Sequence, residues 1–98
     1  MRIYLKKFGD LLTSRQAGKE ALAALQPRLR ELGAHEDIEI DFEGVVTFSP
    51  SWGDEFLTPL HAAYGSRLIL AHTTNSSVDL TLQTLQQIGG IAFCREDQ

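Results

Sequence analysis

A single cysteine, Cys94, excludes an intramolecular disulfide and fits a reducing compartment such as the cytoplasm. No apolar run approaches the roughly 18 residues that span a bilayer, so no membrane contact is expected. Positive charge is scarce. Nine Lys and Arg against 13 Asp and Glu leave a formal net charge of -4, which gives nucleic acid no overall attraction. His35, His61 and His72 sit at no metal-ligand spacing and nothing resembles a nucleophile elbow. The expectation is no metal, no cofactor, no catalytic residue. What remains is 98 residues with 43% hydrophobic and 22% charged side chains, the size and composition of one globular domain over 1–98.

Periodicity organises that domain. Arg2 to Phe8 reads as a short strand with Ile3, Tyr4, Leu5 and Phe8, closed by Gly9-Asp10. Thr13 with Gln16 forms a capping-box pattern before a helical stripe of Ala17, Ala21, Leu22, Leu25, Leu29 and Leu32. Pro27 predicts a kink or an early end, and Gly33 the latest stop. Ile38, Ile40 and Phe42 alternate with Asp37, Glu39 and Asp41, so this strand has one solvated face. That alternation argues against a doubly wound nucleotide-binding sheet. A second helix starts near Ser51 with Trp52, Phe56, Leu60 and Ala63 on one stripe, is threatened by Pro59, and ends at Gly65. Leu68 to Ala71 reads as a central strand. Ser76 with Asp79 opens a third helix with Val78, Leu82, Leu85 and Ile88 inward, ended by Gly89-Gly90; Ile91 to Phe93 reads as a last edge strand. The alternation implies an α/β fold: a mixed, mainly parallel sheet of about four to five strands with about three helices, one face partly solvated. The direction of the first strand is left open.

Candidate functional residues gather where the second strand hands over to the second helix, between Asp41 and Leu57. Ser51 falls near a helix N-terminus, where exposed N–H groups favour an anion. As an N-cap it satisfies a backbone donor; as a phosphoacceptor it would gain about -1.5 to -2 charges there. Ser49 is the rival cap, with Pro50 then at the first helical position. Trp52 is either a surface anchor or, by its spacing to Phe56, core. Asp54 and Glu55 point about 100° apart on a helix, so they are expected to complement the dipole rather than share a ligand. Arg15 opposes the dipole of the first helix and wants a partner, either Asp10 or an acid near Asp54. Cys94 is expected to be a small buried residue.

Two stretches, Leu12-Thr13-Ser14-Arg15-Gln16-Ala17-Gly18 and Ile40-Asp41-Phe42-Glu43-Gly44-Val45 running on to Ser51-Trp52-Gly53-Asp54-Glu55-Phe56-Leu57, carry a family resemblance. The chain resembles the STAS domains of anti-sigma-factor antagonists, and more closely the STAS-like domains of bacteria. STAS antagonists carry Asp-Ser-Ser-Gly after the strand, and a partner kinase phosphorylates the second serine. The corresponding residues here are Ser49-Pro50-Ser51-Trp52, of which Ser51 alone keeps its type. The resemblance implies a signalling domain in transcriptional control that binds a histidine-kinase-like ATPase or an anti-sigma factor. The contact is expected at residues 48–54 and the helix start, through Ser49, Ser51, Trp52, Asp54, Glu55 and Arg15. A small ligand-binding domain or enzyme with a pocket at the same loop is the second reading. A homodimer built on an edge strand or on the exposed sheet face is the third.

Overall fold

In the structure, a computed structural model that describes residues 1–96, burial decides where each predicted element stops. Strand β1 spans only Arg2–Tyr4, with Ile3 inward. Leu5–Phe8 then wind into a 3-10 turn, which corrects the expected strand to Phe8. A strand would send residues 5 and 8 to opposite faces. The three-residue turn brings both to the core side, where Leu5 is fully buried and Phe8 packs against the core. The turn closes at Gly9, whose φ of +127° suits glycine.

Strand β2 (Leu11–Leu12) leads to helix α1 (Arg15–Arg30). Ser14, not Thr13, is its N-cap, accepting from the Ala17 N–H at 3.0 Å. The helix runs through Pro27 without ending there. Pro27 and Pro59 are both exposed, so the carbonyl each ring frees lies towards solvent rather than in the core. After β3 (Ile38–Asp41) and β4 (Thr47–Phe48), helix α2 spans Pro50–Tyr64 and stops at Gly65. A 3-10 turn (Gly65–Arg67) precedes β5 (Leu68–Leu70). Helix α3 (Ser76–Gly89) is capped by Asn75 rather than Ser76, and its end is closed by Gly90 at φ +61°. The last strand, β6, is Cys94–Arg95 instead of 91–93, because Phe93 turns inward to meet the His61 ring.

The main sheet has the order β1-β3-β5-β6 and every pair is parallel, which settles the direction of the first strand. Leu11 and Leu12 pair with Thr47 and Phe48 in a separate parallel two-strand ladder. Because each strand adds on the same side of its predecessor, right-handed crossovers bring all three helices to one face. Register shows the consequence. Ile3, Ile40 and Leu70 are aligned and buried, while the adjacent row of Arg2, Glu39, Ile69 and Cys94 stays exposed or half-exposed. The strand order never reverses, so the sheet has no switch-point crevice for a nucleotide. No helix among the described residues is long and apolar enough to cross a membrane.

Candidate functional site

The turn between β4 and α2 is set by three neighbours. Ser49 Oγ accepts from the Trp52 N–H at 3.3 Å and donates to the Thr13 carbonyl at 2.7 Å, so Ser49 caps α2 and ties it to the entrance of α1. Pro50 occupies the first turn, where its missing donor costs nothing. From the other side, Ser77 Oγ accepts from the Phe48 N–H at 3.0 Å and Thr81 donates to the Phe48 carbonyl. Asn75 caps α3 with its oxygen and donates from Nδ2 to the Val45 and Val46 carbonyls. The turn is clamped between two helix starts.

This arrangement corrects the reading of Ser51 as a cap. Ser49 does that work, and Ser51 lies half-exposed on the first turn of α2. Trp52 is 1% exposed, so it is core and not a surface anchor. Its ring stacks on Phe56 at 4.9 Å and meets Phe48 edge-on at 5.7 Å. Its backbone receives α1: a Cβ on Gly18 would lie 2.5 Å from the Trp52 carbonyl oxygen. The helices cross there because Gly18 has no side chain. A glycine inside a helical stripe was the available signal for this contact.

One turn before Gly18, Arg15 reaches over to α2. Its Nη1 lies 3.0 Å from Asp54 Oδ2 and 2.9 Å from Glu55 Oε1. Adjacent helical carboxylates therefore do share one cation here, against expectation. The guanidinium comes from another helix and bridges the gap between two diverging side chains. Asp10 instead faces Lys6 at 3.9 Å. Arg15 is pushed above its ordinary value, first by Glu55 and then by Asp54. The Arg15 hydrogen bond holds Asp54 below the usual carboxylate range, and Thr58, donating to Oδ1 at 3.0 Å, adds to the effect. Asp54 is thus a fixed negative charge. A general acid or base for neutral pH needs the opposite shift.

Beside these residues a cleft of about 200 Å³ opens between α2 and α3, with Ser51, Asp54 and Thr58 on one wall and Leu85 and Ile88 on the other. The structure thus brings Arg15, Ser51, Asp54 and Glu55 to one surface, with Ser49 half-exposed but engaged as the cap and Trp52 buried in the core. Ile88, expected inward, is 79% exposed at the rim.

A second polar cluster escaped the sequence reading. On the helix-free sheet face Arg2 Nη2 lies 2.6 Å from Asp41 Oδ2, and Nη1 lies 2.6 Å from Glu39 Oε2. Asp41 Oδ1 also accepts the Glu43 N–H at 2.8 Å. Glu39 and Glu96 approach each other there and compete for ionisation. Glu39 is held low, by Glu96 and then by Arg2, while Glu96 is pushed up, first by Glu39. The alternating acids at 37, 39 and 41 were the visible trace of this cluster. Cys94 lies exposed on the same face, which corrects its expected burial; an edge strand without a helix above it cannot cover it. Among the described residues no group of three His, Cys, Asp or Glu side chains could hold a metal ion, and no buried side-chain polar atom lacks a partner. Compared with family models, with curated proteins and with solved structures, the chain shows no match to any of the three.

Proposed function

We propose that the chain is a non-catalytic, STAS-like interaction domain that binds a regulatory protein, of the kinase-type ATPase or anti-sigma class, through residues 48–54 and the start of α2. The observation that carries this reading is the release of Ser51 from capping. With Ser49 as the cap, Ser51 stands half-exposed next to an Arg15–Asp54–Glu55 cluster on two rigid helix starts. Such a surface supplies directional polar contacts at little ordering cost. The contact residues are Arg15, Ser51, Asp54 and Glu55, with half-exposed Ser49 holding the helix start as its cap and Trp52 supporting it from the core. The parallel α/β order also agrees with the fold that the resemblance implies. Cytoplasmic location belongs to the same proposal.

The small-molecule reading is weaker on size. A cleft of about 200 Å³ falls below the roughly 300–1,000 Å³ of ligand pockets. The test uses an extract of the native host and the charge-reversed variant Asp54→Arg, whose site is solvent-accessible. A kinase-type ATPase or anti-sigma factor retained by the wild type, lost by the variant, and bound again as purified protein supports the reading. Equal retention by both, with unchanged melting curves, removes it.

A further inference from the structure

The two edges of the main sheet are held unequally. Strand β1 pairs with β3 through three residues, whereas β6 pairs with β5 through two. Beyond that pairing, the Glu96 N–H donates to the Leu70 carbonyl at 2.8 Å and Arg95 meets Asp79 at 2.9 Å. Before it, Phe93 is buried against the His61 ring. So short an edge segment opens far below the free energy of global unfolding.

The Glu96 side chain falls on the helix-free face. Continuing the register by one step sets Asp41, Ala71 and Glu96 in a row, with the Ala71 N–H donating to Ile40 and the Glu96 N–H to Leu70. A cavity of about 350 Å³ there is lined by Arg2, Asp41, Glu43, His72, Thr73 and Glu96. With Glu39, four carboxylates surround one guanidinium, and each of its nitrogens is already engaged. Nη1 lies 2.6 Å from Glu39, while Nη2 and Nε donate to Asp41. Glu96 turns instead to Glu39, and a hydrogen bond between two carboxyl groups requires a proton. Glu39 is held below its ordinary 4.5, first by the Glu96 hydrogen bond and then by Arg2, whereas Glu96 is pushed above it, first by Glu39. The shared proton sits on Glu96.

We propose that this proton is a clasp: it joins Glu96 to Glu39 across β5 and closes the sheet edge, and its loss frees residues 94–96 from β5. The edge is closed in acid and opens as the pH climbs from the ordinary 4.5 through the raised value of Glu96. The Arg95–Asp79 pair persists over that range, because Arg95 holds Asp79 below its ordinary 3.8. The freed segment thus stays tethered to α3. Opening makes β5 the edge strand, with the backbone of Ile69 and Leu70 uncovered.

NMR titration of the full chain from about pH 4 to about pH 8 tests the proposal. It follows the Glu39 and Glu96 carboxyl-carbon shifts, the His72 ring, and backbone order and amide protection, corrected for intrinsic exchange. Order and protection at Cys94, Arg95 and Glu96 should be lost along the Glu96 carboxyl transition, while Ile3, Ile40 and Leu70 stay unchanged. Glu96→Gln donates to Glu39 at every pH and should keep the segment closed throughout. Glu39→Gln removes the facing carboxylate and should flatten the same transition. Constant order and protection at 94–96 overturn the proposal. So does a loss that survives in Glu96→Gln, that follows the His72 ring instead, or that spreads to the whole sheet.

Discussion

Two arginines in this protein each hold a pair of carboxylates, and the pairs differ in how they are built. Arg15 takes Asp54 and Glu55, neighbours on a helix, from a second helix. Arg2 takes Glu39 and Asp41, alternate residues on a strand, from the adjacent strand. On the strand, period two puts both acids on one face by construction. On the helix, the two acids diverge and only the position of α1 lets one nitrogen reach both. The burial differs as well. The Asp41 side chain is 11% exposed and that of Asp54 44%, so the strand arginine anchors one buried carboxylate, whereas the aspartate of the helix cluster is open to solvent. The lesson concerns support: one cluster depends on sheet register, the other on a helix crossing.

Breaking the crossing has the largest expected effect. Gly18→Ala puts a methyl group against the Trp52 backbone and should cost about 3 kcal/mol, read from urea denaturation. It should also release Arg15 from Asp54 and Glu55; an unchanged stability would show that α1 does not depend on this contact. Asp41→Ala attacks the other cluster, leaves the Glu43 N–H without its acceptor and leaves Arg2 with Glu39 alone, for about 2 kcal/mol. Arg15→Met, at an exposed pair, should not move the denaturation midpoint measurably, and high salt should abolish any residual difference.

A smaller pair of variants divides the two serines at the start of α2. Ser49→Ala removes the cap of α2 and should cost about 1 kcal/mol, while Ser51→Ala should leave stability unchanged. Equal losses would restore Ser51 as a cap and weaken its role as a contact.

Titration gives the smallest effect and the clearest contrast. The folded state depresses Asp54, so its contribution is present above the ordinary value of 3.8 and is lost as the pH falls below it. Glu96 is raised, so its contribution is present in acid and is lost as the pH climbs from the ordinary 4.5 through the raised value. Glu96→Gln should therefore flatten the pH profile of stability above 4.5 and leave the Asp54 contribution to the acid limb unchanged. Thermal melts from acid to neutral pH measure both limbs.

The alternation of strands and helices was legible because long apolar stripes and the alternation at Ile38, Ile40 and Phe42 have strong periods. Caps were legible only to within one or two residues. Thr13 and Ser14, Ser49 and Ser51, Asn75 and Ser76 are all chemically able to cap. The choice between them is made by tertiary hydrogen bonds, from Ser49 to the Thr13 carbonyl and from Asn75 to Val45. The ladder of β2 with β4 is two residues long and leaves no period to read. The accessible cluster was half legible: Arg15 wanted a partner, but its hold on both Asp54 and Glu55 depends on a crossing that only Gly18 announced.

The strand order β1-β3-β5-β6 bears on synthesis as well as on shape. Each strand of the main sheet pairs with one that left the ribosome before it, so the sheet can grow in the direction of translation without waiting for a later segment. No strand has to be inserted between two others already in place. Loop closure is confined to one crossover at a time, which keeps the sequence separation of each step short. The final addition is the two-residue strand β6, a small increment onto an edge that has already formed.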